Sequence, residues 1–236
     1  KSNTVYDKLI SNFKNKQLKI ILILNNDIYS KYKNKFKQKN TTIINIENHD
    51  NGPLYSLHKA AIKINTLVKK DENIFISYSD INWIWDFKKV LNYLKDKDVC
   101  VFTHTGFHPH LEVNTKSDFC KIKNSAISFM TQKKLIDSDY KKNNLAIGSY
   151  YFKNISYLNR YYEDNKYFNK KKEYYILSLI NYLIKNKVIV ENYVVKHFVH
   201  LGTPEQYEDF ISWKNELSKK NKNYLGKNIF SENNPC

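Results

Sequence analysis

His200-Leu201-Gly202-Thr203-Pro204-Glu205 joins an apolar stretch, Val188 to Val199, to an amphipathic one running from Pro204 to Lys219. Gly202 can take backbone angles closed to other residues. Thr203 can cap a helix, and Pro204 fits the first turn of that helix. The six residues read as strand, turn and helix, and the same junction would serve an ordinary structural role.

Upstream, the rhythm of strand and helix repeats. Leu18 to Leu24 is a continuous apolar run, as expected of a strand buried on both faces. Asp27 to Phe36 reads as a short helix and Thr41 to Ile46 as a strand. Asn51-Gly52-Pro53 is a turn before a helix from Leu54 to Lys69. Asn73 to Tyr78 is a third strand, followed by Asp80, a helix from Trp85 to Lys95 and a strand from Val99 to Thr103. Residues 4–16 form a first helix with Val5, Leu9, Ile10 and Phe13 on one face. This alternation predicts an α/β fold: a Rossmann-like, mixed but mostly parallel sheet flanked by helices. The middle differs in character. Phe119 to Lys123 and Ala126 to Met130 predict a hairpin around Asn124-Ser125. Leu145 to Lys153 is a further strand with Gly148 inside it, followed by helices near 155–165 and 171–186. Residues 1–220 read as a single domain and 221–236 as a polar tail.

The 236 residues suffice for one sizeable domain. No run of about 18 apolar residues is present to span a membrane. The first residues do not resemble a signal peptide. Cys100, Cys120 and Cys236 are an odd number without metal-like spacing, which fits a reducing cytoplasm. The formal charge of +16 invites a nucleic-acid reading. That reading is set aside, because the charge is almost all lysine. Arg160 is the only arginine, and arginine is the usual reader of bases and phosphate forks. A field that attracts anionic nucleotides and phosphorylated substrates is the milder consequence. Homo-oligomerisation stays open.

Several residues could carry chemistry. Asp80 ends the third strand, where ligands of open α/β sheets collect, and could hold Mg²⁺ against phosphate oxygens; it could equally cap a turn. Of Trp83 and Trp85, at least one should pack. His108 and His110 flank Pro109 after the fourth strand. Without an evident third ligand they suit a pocket wall better than zinc. Lys133 follows the hairpin and could neutralise a substrate phosphate, with Lys134 pointing the other way if the stretch is extended. Gly148 marks close approach of a ligand or another backbone. Glu173 should open a helix, either binding sugar hydroxyls or complementing the helix dipole.

Together these segments resemble the sugar nucleotidyltransferase superfamily, especially its bacterial branch for capsule and surface-polysaccharide precursors. The resemblance runs from about Thr4 to Trp213. It is carried by Thr4-Val5-Tyr6-Asp7-Lys8-Leu9-Ile10, Gly52-Pro53-Leu54-Tyr55-Ser56-Leu57, Ser77-Tyr78-Ser79-Asp80, Thr105-Gly106-Phe107-His108-Pro109-His110, Gly148-Ser149-Tyr150-Tyr151-Phe152 and Gly202-Thr203-Pro204-Glu205. It implies a nucleotide-diphospho-sugar transferase fold, GT-A-like. It also implies attack of an acceptor's phosphate oxygen on the α-phosphorus of an NTP, with Mg²⁺ and pyrophosphate release. By this likeness Asp80 matches the metal-binding aspartate, Gly52 and Pro53 the segment that meets the nucleotide, and Lys133 the lysine gripping substrate phosphate. Gly148 and Glu173 match substrate-pocket positions. His200 stands where many members carry a second metal-binding aspartate, and Gln132 replaces the glutamate before the lysine. The family's glycine-rich phosphate loop has no counterpart in these residues. Two other readings stay open: a non-catalytic nucleotide- or sugar-phosphate-binding relative, and a GT-A glycosyltransferase using a nucleotide sugar.

Overall fold

The computed structural model describes residues 5–13, 18–36, 40–106, 117–165, 167–169 and 172–220. The elements alternate as expected through α1 (Val5–Ser11), β1 (Ile20–Asn25), α2 (Asn26–Tyr32), β2 (Thr41–Ile46), α3 (Pro53–Leu67) and β3 (Ile74–Ser77). They continue with β4 (Ile81–Ile84), α4 (Phe87–Leu94), β5 (Val99–His104), β6 (Asp118–Lys123), β7 (Ala126–Gln132) and β8 (Asn144–Phe152). The last are α5 (Ser156–Asp164), α6 (Ile176–Lys185), β9 (Val190–Val194), β10 (His197–His200) and α7 (Pro204–Lys220). Among the described residues no helix is long and apolar enough to cross a membrane.

Local chemistry sets several boundaries. Asn25 accepts a hydrogen bond from the Ile28 amide at 2.9 Å and starts α2. Asp86 does the same for Lys89 at 3.2 Å and starts α4. Thr203 and Gln206 form a reciprocal capping box at the head of α7. The Gln206 amide donates to Thr203 Oγ1, and Gln206 Oε1 accepts from the amides of Gly202 and Thr203.

The sheet is mixed, which corrects the expectation of a mostly parallel one. Its main part has six strands in the order β3-β8-β5-β9-β7-β6, with an added β8–β6 pairing that curls it into a partial barrel. β5 and β9 are parallel, but β8 runs antiparallel to both β3 and β5 and separates them. β3 and β5 do share a direction, as do β1 and β2 between themselves, but the later strand β8 lies between β3 and β5. Gly148, with φ +83°, sits in β8 where its pairing with β5 shifts register and its outer edge changes partner from β6 to β3.

The apolar stretch before Gly202 is two strands rather than one. β9 lies beside β5; the Val195 amide then bonds the Thr103 carbonyl, and β10 crosses to an antiparallel ribbon with β4. Helices cover both faces. α3, α5 and α6 lie on one core with Val101, Tyr150 and Phe152. α1 and α4 lie on the other with Trp83, Trp85 and Phe102. Both tryptophans are core residues, at 2% and 5% exposure. Cys100 and Cys120 are buried thiols.

β1 departs from its expected burial: all six residues are half-buried. Its partner is β2 alone, in a parallel two-stranded sheet separate from the main one. Among the described residues no strand pairs with its other edge, nor with the outer edge of β3 beside residues 74–77. Lys19, just before β1, meets Glu72, just before β3, at 2.7 Å. The starts of β1 and β3 thus lie side by side with their backbones unjoined.

The predicted hairpin forms around Asn124 and Ser125, at φ 51° and 65°. Both central residues are left-handed, as a type I′ turn requires. Serine there costs about 1 kcal/mol that glycine avoids. Ser125→Gly should raise stability by about 0.5–1 kcal/mol, or roughly 1–4 °C in melting temperature. An unchanged or lower melting temperature would contradict this.

Candidate active site

The described site residues form one contiguous region at the carboxyl end of β3 and the mouth of the β6–β7 hairpin. Asp80 follows β3 and turns into β4. Its carbonyl accepts from the Leu201 amide at 2.7 Å, which fastens it to the Gly202 turn. A Cβ on Gly202 would lie 2.6 Å from Asp80 Oδ2. The turn glycine therefore leaves room for this carboxylate. His200 stands across the ribbon from Ile81, and its Nδ1 lies 3.0 Å from Gln206 Nε2. An amide nitrogen can only donate, so Nδ1 accepts and the ring proton sits on Nε2.

Whether these groups suit Mg²⁺ follows from donor chemistry. Mg²⁺ takes oxygen ligands, often one or two carboxylates completed by substrate phosphates. Asp80 fits that pattern. His200, a nitrogen donor already engaged by Gln206, does not. Among the described residues no three His, Cys, Asp or Glu gather to hold a metal on their own.

Lys133 and Glu173 meet at 3.6 Å, although forty residues separate them. The Lys133 ammonium lies 5.3 Å from the centre of the Tyr175 ring, and the Tyr175 hydroxyl donates to Glu173. Contact with Tyr175 and then Glu173 raises the Lys133 pKa. The Tyr175 hydrogen bond, followed by Lys133, lowers that of Glu173. Both charges are about half exposed, so the pair adds little stability. Lys133 is at φ 52° rather than extended, with its amide bonded to the Ser117 carbonyl at 3.0 Å. Opposite orientation of Lys134 therefore cannot be argued from a strand here.

Glu173 does not open a helix, since α6 begins at Ile176. Tyr174 is held extended instead: its amide donates to the Asn51 carbonyl at 2.7 Å, and its carbonyl accepts from the Leu54 amide at 3.0 Å. Gly52, at φ +81°, abuts this segment; a Cβ there would lie 2.7 Å from the Tyr174 carbonyl oxygen. Its glycine requirement is thus met by the protein's own backbone. Pro53 begins α3. His49 supports the turn: Nδ1 accepts from the Asn51 amide at 3.1 Å, and Nε2 lies 3.1 Å from Ser56 Oγ. Burial lowers the His49 pKa.

Gly148 faces Tyr78. A Cβ there would fall 2.6 Å from the Tyr78 ring, and the Tyr78 amide bonds the Gly148 carbonyl at 2.9 Å. Close approach is the reason for this glycine, and the approaching group is a tyrosine of the chain. Beside Tyr78 lie Tyr150 and Asp118, two residues that sequence reasoning passed over. Burial pushes the Asp118 carboxyl up to about 7, offset in part by Lys133. The only signal in the sequence was a carboxylate opening an apolar strand, Asp118-Phe119-Cys120. His108 and His110 lie outside the described residues.

No protein-family model matches the chain, and no curated protein matches it. Solved structures do. A nucleoside-diphosphate-sugar pyrophosphorylase from Vibrio cholerae RC9 superposes with a TM-score of 0.69 at 15% identity, covering 89% of this chain and 87% of its own. An inositol-1-phosphate CTP transferase from T. maritima gives 0.63 at 14% identity, covering 91% and 81%. HddC from Yersinia pseudotuberculosis, complexed with GMP-PN, gives 0.57 at 15%, covering 87% and 82%. At these identities the likeness is one of fold.

Proposed function

We propose that the chain is the body of a nucleotidyltransferase that moves an NMP from an NTP to a sugar phosphate or similar phosphorylated acceptor, in making precursors of capsule or other surface glycans. The observation that carries this reading is the meeting of Lys133 and Glu173 in a region that also contains Asp80, on a fold shared with enzymes of that kind. Asp80 would hold Mg²⁺ together with the nucleotide phosphates, and the ion would supply positive charge to the reacting phosphates. Lys133 would bind the acceptor's phosphate, exchanging its weak contact with Glu173 for a charge-assisted hydrogen bond. Glu173 would then be freed for a donor on the acceptor. Positioning and electrostatics account for most of the rate in such transfers.

A non-catalytic binding relative is the second reading; a natural protein with no glycine-rich loop ahead of these residues would favour it. The glycosyltransferase reading would call on Asp86 as a second acid near Asp80, but Asp86 is engaged as the cap of α4.

The test is calorimetric titration with a hexose 1-phosphate. Losing a charge-assisted hydrogen bond costs about 1.5–3 kcal/mol, roughly ten- to a hundredfold in affinity. Lys133→Ala should show that loss, and Lys134→Ala should stay near the unaltered chain. Equal, small effects from both would reduce Lys133 to a solvated surface lysine.

A further inference from the structure

Beneath Lys133 lies a cluster of polar side chains, Asp118, Tyr78 and Tyr150. Asp118 opens β6 opposite Gln132, and the neighbouring Ser117 carbonyl holds the Lys133 amide. Its carboxyl is largely buried, yet it receives no hydrogen bond among the described residues. Tyr78 and Tyr150 lie within its field, with ring centres 6.2 Å apart. Their hydroxyls are buried and lie near each other, with the Ile176 backbone also beside Tyr78, but at geometry poorer than an ordinary hydrogen bond. Burial without a partner costs each such group on the order of 1–3 kcal/mol. Two such hydroxyls beside the partly exposed Asp118 carboxyl, under a lysine at the mouth of the same region, leave hydrogen-bonding capacity that a ligand could take up.

We propose that Asp118, Tyr78 and Tyr150 are the specificity-determining end of the acceptor site, and that they bind hydroxyl groups of a polyhydroxylated acceptor whose phosphate is held by Lys133. The inference rests on the acceptor role of Lys133 given above. Hydroxyls both donate and accept, as do the two phenols, so a polyol can satisfy all three groups at once. An ammonium-bearing acceptor fits less well. It would lie close to the Lys133 charge, and a site built for a cation would keep its carboxylate ionised. Burial instead holds Asp118 close to half-protonated at neutral pH, and in either state it can share a hydrogen bond with a hydroxyl. The other groups facing Asp118 are Lys133, Tyr78, Tyr150 and Cys120, all displaced upward or titrating well above neutrality. A phosphate monoester also titrates at about 6, so the part of the pH dependence between 6 and 8 that differs between the unaltered chain and Asp118→Asn would belong to Asp118.

The experiment titrates the unaltered chain, Asp118→Ala, Asp118→Asn and Lys133→Ala with a hexose 1-phosphate, inorganic phosphate and phosphocholine. Asp118→Ala should weaken the hexose 1-phosphate by about ten- to a hundredfold and leave inorganic phosphate unchanged. Asp118→Asn, of nearly the same shape, should fold normally and keep only the pH dependence between 6 and 8 that the ligand's own phosphate confers. Lys133→Ala should weaken every phosphate-bearing probe. Hexose 1-phosphate affinity untouched by Asp118→Ala would overturn this inference while leaving the role of Lys133 intact. So would tighter binding of phosphocholine than of hexose 1-phosphate, or binding of inorganic phosphate without any preference for the sugar. If Lys133→Ala changes nothing, or no probe binds at all, the acceptor site itself is wrong and this inference falls with it.

Discussion

Asp80→Asn is expected to lower Mg²⁺-dependent nucleotide affinity by at least about a hundredfold while moving the melting temperature by no more than about 2 °C. Partners in the outer shell of a metal are already worth roughly 10–100-fold, and loss of a direct ligand should exceed that. Stability should hold because asparagine has nearly the same shape and the site is partly open to solvent; such changes stay within about 0.5 kcal/mol. Gly202→Ala offers an independent route to the same result. Its new methyl would lie 2.6 Å from Asp80 Oδ2, so the carboxylate must move away from its present place. Both variants should lose nucleotide affinity in Mg²⁺ and differ little from the unaltered chain without it. Unchanged affinity for Asp80→Asn across a Mg²⁺ titration would sink the assignment, and Asp80 would be a turn residue only.

The reading of the Gly-Thr-Pro-Glu turn illustrates what a sequence can carry. Its cap and its helix follow from residue chemistry within six positions, and both stand in the structure. The Asn124-Ser125 hairpin was legible for the same reason, since a two-residue turn is a local event. Strand order was not. An apolar run reports that a strand is buried and is silent on which strand lies beside it. β8 reads the same whether it sits at an edge or, as here, between β3 and β5. The β4–β10 ribbon was missed because Ile81–Ile84 is four residues long and follows directly on Asp80. The helix predicted from residue 171 begins at Ile176 because Asn51 and Leu54, more than a hundred residues away, claim the backbone of Tyr174. Lys133 and Glu173 could each be singled out, but their meeting at 3.6 Å required the fold. Asp118 escaped because a single acidic residue at a strand end usually faces water, and only packing reveals that this one is partly buried.

The widest departure from expectation is at β1, and it motivates the prediction with the largest effect. These 236 residues alone should release no pyrophosphate from mixtures of NTPs and sugar phosphates, whereas the same residues joined to a preceding apolar strand and glycine-rich loop should turn over. Two observations motivate this. The first is the break in the sheet. β1 and β3 each present an edge without a strand beside it among the described residues, and Lys19 and Glu72 hold their starts side by side. Neighbouring strands lie about 4.8 Å apart, so one strand inserted between two edges separates them by roughly 9.6 Å. A long lysine and a glutamate can bridge such a gap. The half-buried residues of β1, Ile20 to Asn25, are nearly all apolar; a free edge of that kind invites pairing with another chain. The second is the triphosphate. A glycine-rich loop turns several backbone amides onto phosphate oxygens, a preorganised nest that scattered lysines do not reproduce. Gly52, Gly148 and Gly202 are each committed to an internal contact of the fold. Pyrophosphate release from a panel of NTPs and sugar phosphates, measured on the 236 residues and on the extended chain, decides the matter. Solution state gives a second measure: the shorter chain should self-associate more and melt lower, because the added strand would cover both edges. Multiple turnovers by the 236 residues alone would refute the prediction and would place the triphosphate on groups other than a glycine-rich loop.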